Sequence, residues 1–120
     1  MTYRGRFAPS PTGQLHFGSL VAAVGSWLCA RHAGGEWLVR VEDIDPPREV
    51  AGSAAAILAA LPAFGLVADG PALFKSTRTE AYAAAIGQLR AANALFPCWC
   101  SRWELARGDG LHRDACCVAS

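Results

Sequence analysis

Two groups of side chains have the types and spacing for chemistry. The first is the run Phe7-Ala8-Pro9-Ser10-Pro11-Thr12-Gly13-Gln14-Leu15-His16-Phe17-Gly18-Ser19-Leu20. Its prolines and Gly13 describe a fixed turn rather than a continued element. His16, Gly18 and Ser19 then fall where a helix would begin, and free backbone N–H groups and the helix dipole favour anions there. Gly18 lets a ligand approach the backbone, and Ser19 has the chemistry of an N-cap. Two readings follow from the residues: a phosphate site, or an ordinary tight turn. The second group is Cys98-x-Cys100 with His112-x-x-x-Cys116, three thiolates and an imidazole suited to Zn²⁺. Cys117 competes with Cys116 for the last place, and coincidental clustering is the alternative. With four protein ligands such a site would be structural, because no position is left for substrate.

The elements that must position these residues read as follows. Residues 3–8 form a first strand with Arg6 near its carboxyl end, and a helix runs from Leu20 to about His32. Leu20, Ala23, Val24, Trp27 and Leu28 fall at helical spacing, Cys29 is expected in the core, and Gly34-Gly35 ends the helix. Residues 36–41 are a second strand, rich in β-branched and aromatic side chains. Strand, helix and strand over this length make a βαβ unit with parallel pairing and a right-handed crossover. Ligands of such sheets bind beyond the carboxyl ends of the strands. That rule puts the His16 turn and the Glu42-Asp43-Ile44-Asp45 corner in one crevice. Glu42 is then either a solvated strand-end carboxylate or, facing Arg6, half of a site for a zwitterionic amino acid. Asp43 and Asp45 read as a metal pair or as loop-capping acids, and the following Pro46-Pro47 favours capping. A second helix is expected from Gly52 or Ser53 to Leu61, ended by Pro62 and Gly65, with a short extended piece at residues 74–76. Thr77 and Glu80 have capping-box spacing at the head of a third helix, reaching about Asn93 with Tyr82, Ile86 and Leu89 on one face. From Phe96-Pro97-Cys98 the texture changes, which divides the chain into residues 1–95 and 96–120.

Bulk properties narrow the class. The chain has 120 residues, 52% of them hydrophobic and 18% charged, which is globular rather than disordered. The formal net charge is only +1 and no basic stripe is present, so composition alone makes no case for nucleic acid. No apolar run approaches the roughly 20 residues of a membrane span, and nothing at the start resembles a signal peptide; a cytoplasmic protein is expected. Five cysteines, four of them from Cys98 onward, suit a metal better than a secreted disulfide framework.

The run of residues 6–19, ending in His16-Phe17-Gly18-Ser19, resembles the HIGH-type signature of class I aminoacyl-tRNA synthetases, specifically the glutamate-activating ones. The resemblance implies an α/β fold, the first half of a Rossmann-like catalytic domain carrying a small zinc-binding insertion. It implies that Arg6, Ala8, Ser10 and Glu42 line a glutamate pocket. Pro9, Thr12, His16, Gly18 and Ser19 would hold ATP with Mg²⁺, and His16, Gly18 and Ser19 would serve catalysis. There the imidazole helps stabilise charge at the α-phosphorus while the glutamate carboxylate attacks. The His16-Phe17-Gly18-Ser19-Leu20 and Glu42-Asp43-Ile44-Asp45-Pro46-Pro47-Arg48 runs, together with the cysteine-rich tail, resemble the glutamyl-queuosine tRNA(Asp) synthetases. That branch, expected to be monomeric, attaches glutamate to the queuosine base of tRNA(Asp). Its third zinc position is typically tyrosine, and His112, a better ligand, stands there in this sequence. The resemblance covers only the first half of the family's catalytic domain, without the later lysine-rich loop, so an amino-terminal fragment or truncated product is expected. Two alternatives remain open: a fragment of a glutamyl-tRNA synthetase, and an inactive zinc-binding remnant.

Overall fold

The computed structural model describes residues 2–107. The chain divides into two compact units, Met1–Thr79 and Glu80–Ser120. The first holds a three-stranded parallel sheet in the order β1 (Arg4–Phe7), β2 (Glu36–Val41), β3 (Leu73–Phe74). Between the strands lie α1 (Phe17–His32) and α2 (Ser53–Ala63), with 3₁₀ turns at Pro46–Arg48 and Lys75–Arg78. The expected βαβ unit is present: β1 pairs with β2 in parallel register from Arg4 opposite Glu36 to Phe7 opposite Val39.

Alternation along β2 sets the core. Trp37, Val39 and Val41 point to one side and are buried, while Leu38 and Arg40 are half-buried on the other. Trp37 and Val39 form one cluster with Phe7, Ala23, Ala30, Ile57, Leu61 and Leu66. The buried side chains of α1 are alanines because β1 comes very close. A Cβ on Gly5 would stand 2.9 Å from the Ser26 carbonyl oxygen and 3.1 Å from the Ala30 Cβ. This close approach decides which flank of α1 is covered. Leu20 and Trp27 pack against the core as expected, but Val24 and Leu28 are exposed. Cys29 is also exposed rather than in the core, since it lies one residue, about 100° of rotation, from the buried Ala30.

Gly34 (φ +60°) and Gly35 end α1 as expected, their N–H groups bonding the carbonyls of Arg31 and Ala30. The loop after α2 bonds to β2. Asp69 donates its N–H to the Trp37 carbonyl at 2.9 Å and accepts from the Trp37 N–H at 2.6 Å and from Arg31 at 2.8 Å. Those bonds from Arg31 and Trp37 hold its carboxyl below the usual range.

In the second unit, α3 (Thr79–Ala91) and α4 (Arg102–Arg107) carry no buried residue. The capping box expected at Thr77 does not form. Its Oγ1 instead donates to the Phe74 carbonyl inside the 3₁₀ turn, and α3 begins two residues later. Of the residues expected on one face, Ile86 and Leu89 are exposed and Tyr82 is half-buried.

Candidate functional site

A cavity of about 580 Å³ opens where β1 hands over to α1, within the size range of small-molecule sites. Arg6 and Ala8 reach it from the strand end, Pro9, Ser10 and Thr12 from the turn, and His16, Gly18 and Ser19 from the start of the helix. Eight of the nine residues singled out for glutamate and ATP therefore surround one space. Leu15, Ala22 and Ile57, which sequence reasoning passed over, supply apolar wall. No carboxylate pairs with Arg6 among the described residues, so its guanidinium and the α1 N-terminus both offer positive charge to the cavity.

The helix begins at Phe17 rather than at Leu20, and its cap also differs from expectation. His16, not Ser19, is the N-cap: its backbone is extended, its carbonyl accepts from Leu20 N–H, and its Nδ1 accepts from Ser19 N–H at 3.2 Å. Serine normally outranks histidine as a cap, but here Ser19 already lies inside the first turn. Because Nδ1 accepts a backbone N–H, the ring proton belongs on Nε2, 3.0 Å from Ser19 Oγ. Gly18 has a reason beyond ligand approach, since a Cβ there would stand 3.2 Å from the His16 ring. The glycine lets the imidazole fold over the helix end. An anion bound there would meet backbone N–H groups, the Nε2 proton and the Ser19 hydroxyl together.

Glu42 is the residue the structure does not bring to this cavity. Its N–H donates to the Pro9 carbonyl at 2.9 Å, so its backbone adjoins the turn as expected. Its carboxylate, however, does not face Arg6. Oε1 takes Arg40 Nε at 2.8 Å and Oε2 takes Lys75 Nζ at 2.5 Å, with all three side chains largely covered. Burial would raise the Glu42 pKa, but the bonds and charges of Lys75 and Arg40 outweigh it and hold the carboxyl below its ordinary value. Sequence offered no signal for Lys75, which lies 33 residues away. Asp43 and Asp45 are spent on the loops. Asp43 accepts from Ser76 N–H at 3.0 Å and Ser76 Oγ at 2.5 Å, and Asp45 pairs with Arg48. Burial pulls the Asp43 pKa upward, yet the Ser76 bonds leave it below the usual range. Asp43 thus caps the 3₁₀ turn at Lys75–Arg78, whereas Asp45 makes an ion pair and no side-chain capping bond.

In the second unit Cys98 is exposed and Cys100 half-buried. The other expected zinc ligands, His112 and Cys116, and the competing Cys117, lie outside the described residues. Among the described residues no three metal-ligating side chains gather, and no helix is long and apolar enough to cross a membrane.

Comparison with known proteins agrees with this geometry. Residues 2–115 match the family described as tRNA synthetases class I (E and Q), catalytic domain. The sequence is 60% identical over 119 residues to the glutamyl-Q tRNA(Asp) synthetase of Xanthomonas campestris pv. campestris (strain 8004), covering 99% of this chain and 39% of that one. It is 64% identical over 104 residues to the protein of the same name from Dechloromonas aromatica (strain RCB), covering 87% and 35%. The chain thus spans well under half the length of these relatives. Among solved structures, a glutamate-tRNA synthetase from Elizabethkingia anophelis superposes with a TM-score of 0.77 at 33% identity, over 89% of this chain and 23% of that one. A glutamate tRNA ligase from Elizabethkingia meningosepticum, solved in complex with its amino acid, gives 0.77 at 35%.

Proposed function

The chain belongs to the class I (E and Q) tRNA synthetase catalytic-domain family, and we propose that it carries the glutamate-activating site of an enzyme that glutamylates the queuosine of tRNA(Asp). The observation that carries this reading is the single cavity at the β1–α1 junction, where Arg6, Ser10, His16 and Ser19 converge on the N-terminus of α1. The identity to two glutamyl-Q tRNA(Asp) synthetases, 60% and 64%, against 33% to the glutamate-tRNA synthetase structure, favours this branch over an ordinary glutamyl-tRNA synthetase.

In the proposed chemistry a carboxylate oxygen of glutamate attacks the α-phosphorus of ATP, pyrophosphate leaves, and glutamyl-adenylate remains. ATP brings Mg²⁺, which neutralises phosphate charge. The chain's own part is positioning and electrostatics. Arg6 holds a substrate carboxylate by its guanidinium fork, with Ala8 and Ser10 shaping that end. Pro9 and Thr12 keep the turn against the nucleotide. The α1 N–H groups, the His16 Nε2 proton and Ser19 Oγ meet the phosphates, and Gly18 gives them room. Glu42 takes the substrate ammonium once one of its oxygens leaves Lys75. Residues 1–95 carry this site. Residues 96–120 carry a structural zinc on Cys98, Cys100, His112 and Cys116, supported by that donor set. Zinc content near one per chain, lost in Cys98→Ser, is expected by metal analysis; equal content in both refutes it.

The test of the main reading is glutamate-dependent ATP–pyrophosphate exchange without tRNA, with zinc and magnesium supplied. His16→Asn is the informative variant, because asparagine is a good N-cap and keeps the helix while removing the imidazole. Exchange that falls at least about a hundredfold in the variant at an unchanged melting temperature supports the reading. Exchange unaffected by the substitution would refute the assigned site.

A further inference from the structure

Ser53 is buried, the one buried polar side chain among the described residues, and it does not serve its own helix. It opens α2, whose N-cap is Gly52, a left-handed residue making no side-chain capping bond. Ser53 Oγ instead crosses 40 residues of sequence to Gly13. It donates to the Gly13 carbonyl and accepts the Gly13 N–H at 3.1 Å, so one hydroxyl closes both polar groups of a single residue. Gly13 has φ +149°, a conformation that side-chain-bearing residues rarely adopt, and stands three residues before the cap His16.

The turn is tied down at three further points. Thr12 N–H bonds Ser10 within the turn, Glu42 N–H bonds the Pro9 carbonyl, and Val50 N–H bonds the Pro11 carbonyl, each at 2.9 Å. All three are backbone bonds, indifferent to which side chains stand there. Pro9 and Pro11 have no N–H to offer, so the turn is held mostly by its carbonyls. Ser53 makes the side-chain bonds among these ties, both to Gly13, and one turn further along the same helix Ile57 forms part of the cavity wall.

We infer that Ser53 is a positioning residue of the nucleotide site: its hydroxyl locks Gly13, and through Gly13 fixes the turn that delivers His16 and the α1 N-terminus to the phosphates. It touches no substrate. This rests on the reading of the cavity as an ATP site.

The experiment measures ATP affinity of the whole 120-residue chain by calorimetric titration, together with hydrogen exchange at the Gly13 amide. Four substitutions are compared: Ser53→Ala, Ser53→Thr, Ser53→Val and His16→Asn. Threonine and valine have the same shape, so their difference reads the hydroxyl alone, free of packing. Loss of the locking bonds is expected to weaken ATP binding about tenfold in Ser53→Ala and Ser53→Val and to speed Gly13 exchange, while Ser53→Thr binds closer to the parent. Equal affinity in Ser53→Thr and Ser53→Val would overturn the proposal, as would unchanged affinity in Ser53→Ala. If His16→Asn weakens ATP binding while the Ser53 variants do not, the Ser53 assignment alone falls. If ATP does not bind the parent chain, or binds His16→Asn equally well, the site reading falls and takes the Ser53 role with it.

Discussion

Replacing Lys75 by methionine probes the carboxylate that the structure ties away from the cavity. The ammonium lies 2.5 Å from Glu42 Oε2, with 23% and 19% of the two side chains exposed, and Arg40 occupies Oε1. Exposed ion pairs contribute about 0.2–1 kcal/mol, whereas breaking a buried pair costs about 3–5 kcal/mol because a charge is left uncompensated. Lys75→Met falls between these limits, since the site is largely covered but Arg40 stays. A loss of about 1.5 kcal/mol at neutral pH is expected. The pH dependence supplies the sharper test. Glu42 titrates below its ordinary value in the folded chain, against the upward pull of burial, because Lys75 and Arg40 hold it ionised. A carboxylate depressed in this way contributes stability that is complete above the unfolded pKa, about 4.3 for glutamate. The contribution is lost as pH falls through the folded value. Lys75→Met moves the folded value back upward, so less stability remains to be lost in acid. The difference between parent and variant should therefore be full at pH 7 and shrink below about pH 4. Urea unfolding followed by tryptophan fluorescence at several pH values measures it. A double-mutant cycle with Glu42→Gln should give a coupling of about 1 kcal/mol or more. A difference that is the same at every pH, or a coupling below about 0.3 kcal/mol, would show that Lys75 acts only through packing of its aliphatic stem.

Three further substitutions test how the sheet and α1 are held. Gly5→Ala places a methyl 2.9 Å from a helix carbonyl oxygen, which has no rotamer to escape into, so α1 must move. A loss of about 1–3 kcal/mol is expected by denaturant titration, and no loss would mean that the strand–helix contact is looser than described. Trp37 and Trp27 make a contrast. Trp37 is fully buried and its indole N–H donates to Ser26 Oγ at 2.9 Å, whereas the buried Trp27 indole N–H has no partner among the described residues. Trp37→Phe should cost about 2–3 kcal/mol and Trp27→Phe under about 1 kcal/mol by the same titration. The reverse order would refute the hydrogen-bond assignment.

What was legible in the sequence is what depends on neighbours along the chain. The β-branched and aromatic side chains of residues 36–41 announce a strand, and the prolines and glycine of residues 9–13 announce the turn. Capping preferences alone, however, point to Ser19 and Thr77. The structure chooses His16 because Gly18 clears a place for its ring, and turns Thr77 back into the 3₁₀ turn. The buried flank of α1 could not be read either. The helix is apolar nearly all round, so Val24 and Leu28 look as suited to a core as Ala23 and Ala30, and the choice belongs to Gly5 on another element. Lys75 on Glu42 and Ser53 on Gly13 span 33 and 40 residues, and neither side chain stands out in its local run. A hydroxyl opening an alanine-rich helix reads as a solvated start. Only the placement of α2 beside the turn gives it two backbone groups of Gly13 to satisfy. The signature residues therefore identify the family. How firmly His16 is presented to the cavity depends on a serine that no local pattern would single out.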